Sequence, residues 1–236
     1  MKVLVIGGMH GNEQLGLKLV KLFSERPVKN IGTILANELA IVERCRFIKK
    51  DLNRSFPGDI KSEEYESRRA AEILQLAIGY DLVLDFHNTT CSGNDCCFLG
   101  ENANSILYDL VSSLGLKRVI VADYECINKY APNCLSVEVS VDSELNSSQL
   151  WYDMVASLTR KRFAKQKPDL EKYQFVYRIT NEDRDRYDLT KLNIKAFQPI
   201  DDLLAKKLGV NSPAFPIFIN DTYTPYSYGG LLNKSP

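Results

Sequence analysis

Of 236 residues only two are histidines, His10 and His87, and the chemistry open to the chain starts with them. His10 begins the run His10-Gly11-Asn12-Glu13, so a carboxylate follows an imidazole by three residues on a short glycine-flanked loop. Zinc accepts imidazole nitrogen and carboxylate oxygen at about 2.0–2.2 Å, and a hydrolytic site uses three protein ligands with one position left open. His10, Glu13 and His87 supply two nitrogens and one carboxylate, and are therefore the candidate ligands for one Zn2+ ion per chain. Taken alone, an HxxE pair is more often a surface or capping pair than a metal site. Gly7, Gly8 and Gly11 shift that balance, because they let the backbone turn sharply at a strand end. Ligand type alone leaves cobalt and manganese open as substitutes.

Hydrolysis also needs a base, and neither histidine is free for that role. Glu138 lies in the apolar run Cys134-Leu135-Ser136-Val137-Glu138-Val139, where burying a carboxylate is costly without a compensating partner. The alternation of Ser136, Glu138 and Ser140 with Val137, Val139 and Val141 fits equally an edge strand with Glu138 turned to solvent. Asp85, two residues before His87, should share its side of a strand and orient its ring.

Both histidines stand immediately after predicted strands. Lys2 to Ile6 is a short apolar strand, followed by a glycine-rich turn and a helix with Leu15, Leu19, Leu22 and Phe23 at helical spacing. Asp81 to Phe86 is an apolar run of strand length ending at His87. Further strands are expected at Gly32 to Ala36, Asp95 to Leu99, Arg118 to Ala122 and Leu135 to Val141, with helices over Ser62 to Ile78, Asn104 to Leu114 and Ser147 to Phe163. This alternation predicts an α/β fold with a mostly parallel or mixed central sheet flanked by helices, whose reactive groups gather at the carboxyl ends of strands. Lys165-Gln166-Lys167-Pro168 reads as a linker, dividing a catalytic domain (1–164) from a small β-rich C-terminal domain (165–236). In the latter, Tyr173 to Ile179 and Phe215 to Ile219 read as strands, and the prolines and Gly229-Gly230 as turns.

Thirty basic residues balance thirty acidic ones, which gives no basis for a nucleic-acid partner or a charged membrane surface. No apolar stretch approaches the roughly 20 residues needed to cross a bilayer, and the opening apolar run enters Gly7-Gly8 as a strand does rather than a signal peptide. The six cysteines include no CxxC pair and are expected to stay reduced, as buried small hydrophobes in a cytoplasmic protein. A small-molecule substrate is the default, and self-association into a homo-oligomer stays open.

Three segments together resemble a known family: Gly7 to Glu13, Asp51-Leu52-Asn53-Arg54-Ser55-Phe56-Pro57-Gly58, and Asp85-Phe86-His87-Asn88-Thr89-Thr90. In this order they are similar to the aspartoacylase and succinylglutamate desuccinylase family, relatives of the zinc carboxypeptidases. The resemblance covers roughly residues 1 to 145, with a weaker echo at Phe215 to Asn220. It implies a zinc carboxypeptidase-like core, one zinc ion held by His10, Glu13 and His87, and hydrolysis of the amide bond of an N-acyl amino acid bearing a carboxylate. By motif position it implies that Asn53 and Arg54 bind the substrate carboxylate, that Arg46 rather than Arg44 stabilises the oxyanion, and that Glu138 is the catalytic base. The Asp51 to Gly58 run is equally typical of carboxypeptidases, so peptides or cell-wall fragments remain alternative substrates, and a non-catalytic metal-binding module a lesser one. Two departures matter. Asn128, beside Lys129, stands where aspartoacylases carry a further carboxylate-binding arginine, and neither Tyr223 nor Tyr226 falls on the ungapped position of a family tyrosine.

Overall fold

The computed structural model describes residues 1–159 and 169–235, so the expected linker and the boundary near residue 165 lie outside the described residues. Among those residues the strands are β1 (Val3–Gly7), β2 (Ile31–Leu35), β3 (Leu82–Thr89), β4 (Cys96–Gly100), β5 (Arg118–Ala122), β6 (Cys134–Ser140), β7 (Glu171–Ile179), β8 (Ala214–Ile217) and β9 (Gly229–Lys234). The helices are α1 (Gln14–Glu25), α2 (Glu38–Glu43), α3 (Tyr65–Ala77), α4 (Ser105–Ser113), α5 (Ile127–Tyr130), α6 (Ser148–Leu158), α7 (Asn181–Arg186) and α8 (Asp202–Lys207). All nine strands belong to one sheet in the order β2-β1-β3-β6-β4-β5-β7-β9-β8.

The sheet is mixed. β2, β1, β3 and β6 run parallel, β4 pairs antiparallel with β6, and β5 and β7 then run parallel with β4. β9 and β8 close the row as antiparallel neighbours. The C-terminal strands thus extend the same sheet and do not form one of their own.

Every residue of β1 and β3 is buried, as near-continuous apolar runs require when helices cover both faces. Alternate side chains divide between two cores. Val3, Val5, Leu84 and Phe86 pack with α1, α4 and α6 residues such as Leu19, Leu110 and Trp151, whereas Leu4, Ile6 and Val83 pack with Ala70 and Ile73 of α3 and Ile127 of α5. Each such large apolar side chain contributes about 1.5–3 kcal/mol when removed from water, which fixes the strands that carry the polar groups.

Two differences from the sequence reading have local causes, and the edge-strand alternative for Glu138 is excluded. His87 lies within β3, not after it, because β3 continues to pair with β6 through Thr89 after its pairing with β1 has ended at Phe86. Glu138 is on a central strand between β3 and β4, not on an edge. Gly229-Gly230 opens strand β9 instead of making a turn: a Cβ on Gly230 would come 2.6 Å from the ring of Phe175, so the missing side chain makes room for a packed neighbour. The expected helix from Ser147 to Phe163 is observed as Ser148–Leu158, and residues 160–163 are outside the description.

Candidate active site

β1 ends where β3 and β6 still continue, and the loop between β1 and α1 fills the step. Gly8 sits at φ +71°, a left-handed conformation that favours glycine. A Cβ on Gly11 would lie 2.1 Å from the backbone of Ala40, so the loop can pack tightly against α2 only without a side chain there. The Gly11 N–H donates to the Arg46 carbonyl at 3.2 Å, which joins this loop to the one carrying Arg46.

On this frame His10 and His87 turn the same ring nitrogen toward a common point. Their Nδ1 atoms are 3.2 Å apart, and the two oxygens of Glu13 lie 2.6 Å from His10 Nδ1 and 3.0 Å from His87 Nδ1. Tetrahedral ligands about 2.0–2.1 Å from one ion are separated by roughly 3.3 Å, so the donor set fits a single Zn-sized cation. All three side chains are buried, and among the described residues they form a cluster able to hold a metal ion.

The opposite ring nitrogens are held by carboxylates. Asp85 Oδ2 is 2.7 Å from His87 Nε2, and Asp51 Oδ1 is 3.2 Å from His10 Nε2. Such partners fix the tautomer, so that Nδ1 presents a lone pair, and they raise ligand basicity. Asp51, the first residue of the Asp51-Leu52-Asn53-Arg54 run, has no role in the sequence reading, although the motif contains it. Asn88 ties the ensemble together: its Oδ1 accepts from the Leu15 N–H at 2.7 Å at the start of α1, its Nδ2 donates to the Val139 carbonyl at 3.1 Å, and its own N–H reaches Glu13 at 3.3 Å.

The charges reinforce one another. Burial would raise Glu13, but the His10 and His87 imidazoles overcome it and hold its carboxylate far below the usual range. Burial alone would lower His87, yet Asp85 and Glu13 hold it well above 6.5. Asp51 is likewise held well below 3.8 against burial, by His10, Arg46 and Arg54.

The parallel register pairs His87 with Glu138, so β6 delivers the predicted base beside the predicted ligand. Burial pushes Glu138 up to about 8, with Glu13 and Asp221 adding to the shift and His87 and Arg46 opposing it. Arg46 lines the same cleft, donating to Glu13 at 3.2 Å, to Asp51 at 3.4 Å and to the Tyr223 carbonyl at 3.4 Å. Arg44 does not line the cleft; it ends α2 in a left-handed conformation at φ 51°. The loop bearing Arg46 is anchored by buried Glu66 of α3, which accepts the Ile48 and Lys49 N–H groups at 3.0 and 2.9 Å.

Asn53 and Arg54 lie on a single 3-10 turn, Leu52–Arg54, initiated by the Asp51 carboxylate accepting the Asn53 N–H at 2.9 Å. Both line the cleft, and Arg54 stacks over the ring of Tyr124 with its Cζ 4.3 Å from the centroid. Its Nε is buried without a partner, as is that of Arg46. The cleft therefore gathers all seven residues singled out from sequence: His10, Glu13, Arg46, Asn53, Arg54, His87 and Glu138.

Asn128 lines the cleft, but its side chain is engaged by its neighbours. Its Nδ2 donates to the Phe98 and Cys134 carbonyls at 3.1 and 3.2 Å and its Oδ1 accepts from Ser136 at 2.9 Å, while the Lys129 ammonium pairs with Glu125 away from the cleft. Tyr226 lines the cleft, its ring 6.0 Å from the Arg46 guanidinium, whereas Tyr223 meets Arg46 only through its carbonyl. Sequence reading missed Tyr124, Asp221 and Arg178, which also line it. Asp221 directly follows the Phe215 to Asn220 segment, while nothing local to Tyr124 or Arg178 marks either. All six cysteines are free; Cys96, Cys97, Cys126 and Cys134 are buried.

A helix-flanked mixed sheet that brings a buried His-Glu-His donor set to the carboxyl ends of β1 and β3 defines a zinc carboxypeptidase-like α/β protein. The fold is matched by the succinylglutamate desuccinylase of Chromobacterium violaceum at TM-score 0.73 and 18% identity, covering 100% of this chain and 85% of that one. Murine aminoacylase 3 matches at TM-score 0.68 and 19% identity, covering 100% and 95%. Residues 1–139 match the succinylglutamate desuccinylase/aspartoacylase catalytic domain, and the chain belongs to that family. Among curated relatives, an N-acyl-aromatic-L-amino acid amidohydrolase (carboxylate-forming) of Xenopus tropicalis is 36% identical over 124 residues, covering 45% of this chain and 40% of the relative. The aspartoacylase of Mus musculus is 32% identical over 127 residues, covering 46% and 41%. The matched segment thus spans about two-fifths of each curated relative.

Proposed function

We propose that the chain is a zinc-dependent amidohydrolase that cleaves the amide bond of an N-acyl amino acid. The observation that carries this reading is convergence: a three-donor cation site, a partly buried carboxylate in register with one donor, and two guanidinium groups share one cleft. Membership of the family and relatives named as amidohydrolase and aspartoacylase support it.

His10, Glu13 and His87 would hold the cation, which when bound supplies Lewis acidity to the scissile carbonyl and makes water a better nucleophile at neutral pH. Glu138 takes the proton of the attacking water and returns it to the leaving amine. A pKa near the working pH suits a group that must both accept and donate. Arg46 is aimed into the cleft by Glu13 and Asp51 and stabilises the oxyanion, a contribution of about 3–4 kcal/mol for a well-placed donor. Asn53 and Arg54 bind the substrate carboxylate, to which the planar fork of Arg54 donates two parallel hydrogen bonds. No helix among the described residues is long and apolar enough to cross a membrane, and free cysteines suit a reducing compartment such as the cytoplasm.

The test is to compare zinc-loaded and chelated protein on a panel of N-acetyl and N-succinyl amino acids alongside short peptides. Hydrolysis of N-acyl amino acids that disappears on chelation and returns with one equivalent of zinc is expected. Cleavage confined to peptides would overturn the assignment in favour of a carboxypeptidase.

A further inference from the structure

Two residues back along β3 and β6 from the row that holds His87 and Glu138 lies a second row of polar groups. The β3–β6 register places His87 beside Glu138 and Asp85 beside Ser136, and the antiparallel β6–β4 register adds Cys96 to the first row and Phe98 to the second. Residues two apart along a strand share a face of the sheet, so Asp85 and Ser136 support the row above them. Asp85 is fully buried. Its Oδ2 receives both of its hydrogen bonds, from His87 Nε2 at 2.7 Å and from the Ser136 hydroxyl at 3.3 Å, while Oδ1 has no partner among the described residues. A buried carboxylate held by two donors is left with one when either is removed, and burial makes that loss costly.

The Ser136 hydroxyl is held from its other side by Asn128 of α5. The Asn128 amide donates to two backbone carbonyls, those of Phe98 on β4 and Cys134 on β6, which takes up both of its hydrogens. That fixes which way round the amide sits, and Oδ1 therefore faces Ser136, 2.9 Å from its Oγ. The one hydroxyl hydrogen lies between an amide oxygen and a carboxylate. A bond to the charged acceptor is roughly twice as strong, so Asp85 competes for the hydrogen in spite of its longer distance. The chain Asn128, Ser136, Asp85, His87 thus runs from a helix across two strands to a donor atom, and none of its members is more than 3% exposed.

Resting on the reading of His10, Glu13 and His87 as the cation site, we infer that Ser136 is a positioning residue: its hydroxyl, held in place by Asn128, braces the Asp85 carboxylate and through it sets the direction in which His87 presents Nδ1 to the cation. Ser136 takes no part in bond making or breaking. Replacing it by alanine leaves the three donors, Glu138 and both guanidinium groups in place and changes only how firmly one donor is held. A serine that merely anchors Asn128 would have the same effect whether or not residue 85 is a carboxylate, and that difference separates the two roles.

The experiment measures zinc affinity by competition with a chelator, and the visible absorption of the cobalt-loaded protein, which reports donor geometry. It compares the unaltered protein with Ser136→Ala, Ser136→Thr, Asp85→Asn and the double variant Ser136→Ala with Asp85→Asn. Ser136→Ala should bind zinc about tenfold more weakly, the lower end of the range for groups that orient a ligand, and should shift the cobalt bands. Ser136→Thr keeps the hydroxyl and should restore most of that affinity. With Asp85→Asn already in place, removing the hydroxyl should weaken binding by less than about twofold more, because the group it braces is gone. If Ser136→Ala does not fold, Ser136→Cys makes the same comparisons, since it fills the site with a weak donor. Undiminished zinc affinity with an unchanged cobalt spectrum, or equal losses with and without Asp85→Asn, would overturn the inference while leaving the amidohydrolase reading intact. Failure of the unaltered protein to bind zinc would overturn both.

Discussion

The cleft wall that carries His10, Glu13 and His87 and the wall that carries Tyr124, Phe175 and Arg178 differ in how fully their polar groups are satisfied. On the first, each imidazole has a carboxylate on Nε2, Glu13 is contacted by both imidazoles, Arg46 and a backbone N–H, and all of these groups are tied to β1, β3 and β6. On the second, the rings of Tyr124 and Phe175 meet edge-on and Arg178 is exposed to solvent. A wall whose members constrain each other holds geometry for a reaction. One whose members are less tied to the donor set can vary without disturbing the three-donor cluster.

Glu138→Gln should break the reactive wall most severely. Losing proton transfer costs roughly 10²- to 10⁴-fold in turnover, while the three donors remain to bind zinc. The check is a pair of measurements, kcat and zinc per chain, on the same preparation. Undiminished kcat would remove Glu138 from its role, and loss of zinc would mean that the carboxylate supports the site rather than the reaction.

Asp85→Asn comes next, because it removes the partner that orients His87 without touching a donor atom. Such changes weaken metal affinity by about 10–100-fold. The size of the loss should depend on pH in a definite direction. The cation binds only the neutral imidazole, and His87 is held well above 6.5, so affinity for zinc should climb with pH, by up to about tenfold per unit, until His87 has lost its proton. Without the Asp85 carboxylate His87 loses its proton at lower pH, so the variant reaches its plateau earlier. Its deficit is then largest in alkaline solution and shrinks toward acid. Competitive titration of zinc against a chelator from pH 6 to 9 reads both curves, and parallel curves would show that Asp85 does not set the protonation of His87.

The same contrast explains what could be read before the fold was known. The His-Glu-His cluster was legible because scarcity and spacing carried it: two histidines in the whole chain, one with Glu13 three residues on, the other with Asp85 two residues back on the same face of a strand. The sheet was legible because helical and strand periodicities alternate from Met1 to Leu158. Glu138 was ambiguous, since alternating Ser136, Glu138 and Ser140 suit an edge strand as well as a central one, and only the pairing of β6 with β3 and β4 shows that the strand is central. Asp51 needed the three-dimensional approach of its carboxylate to His10. Arg178 was out of reach, because its direction depends on a bulge defined against β9, a strand whose opening glycines look like a turn from sequence alone.

The smallest effect tests the seam between the walls. Arg54 belongs to the motif-bearing turn, but its guanidinium lies on Tyr124 of the other wall, 4.3 Å from the ring centroid. Arg54→Lys keeps the charge and loses both the planar fork and the stacking, so the carboxylate would meet a mobile point charge. KM should rise on the order of tenfold, one charge-assisted hydrogen bond, with kcat changed much less. The zinc-affinity curve should keep its shape, since Arg54 contacts no donor atom. A fall in kcat comparable to the rise in KM would mean that Arg54 helps to align the reacting carbonyl, and recognition and chemistry would then share a residue that the proposed mechanism gives to recognition alone.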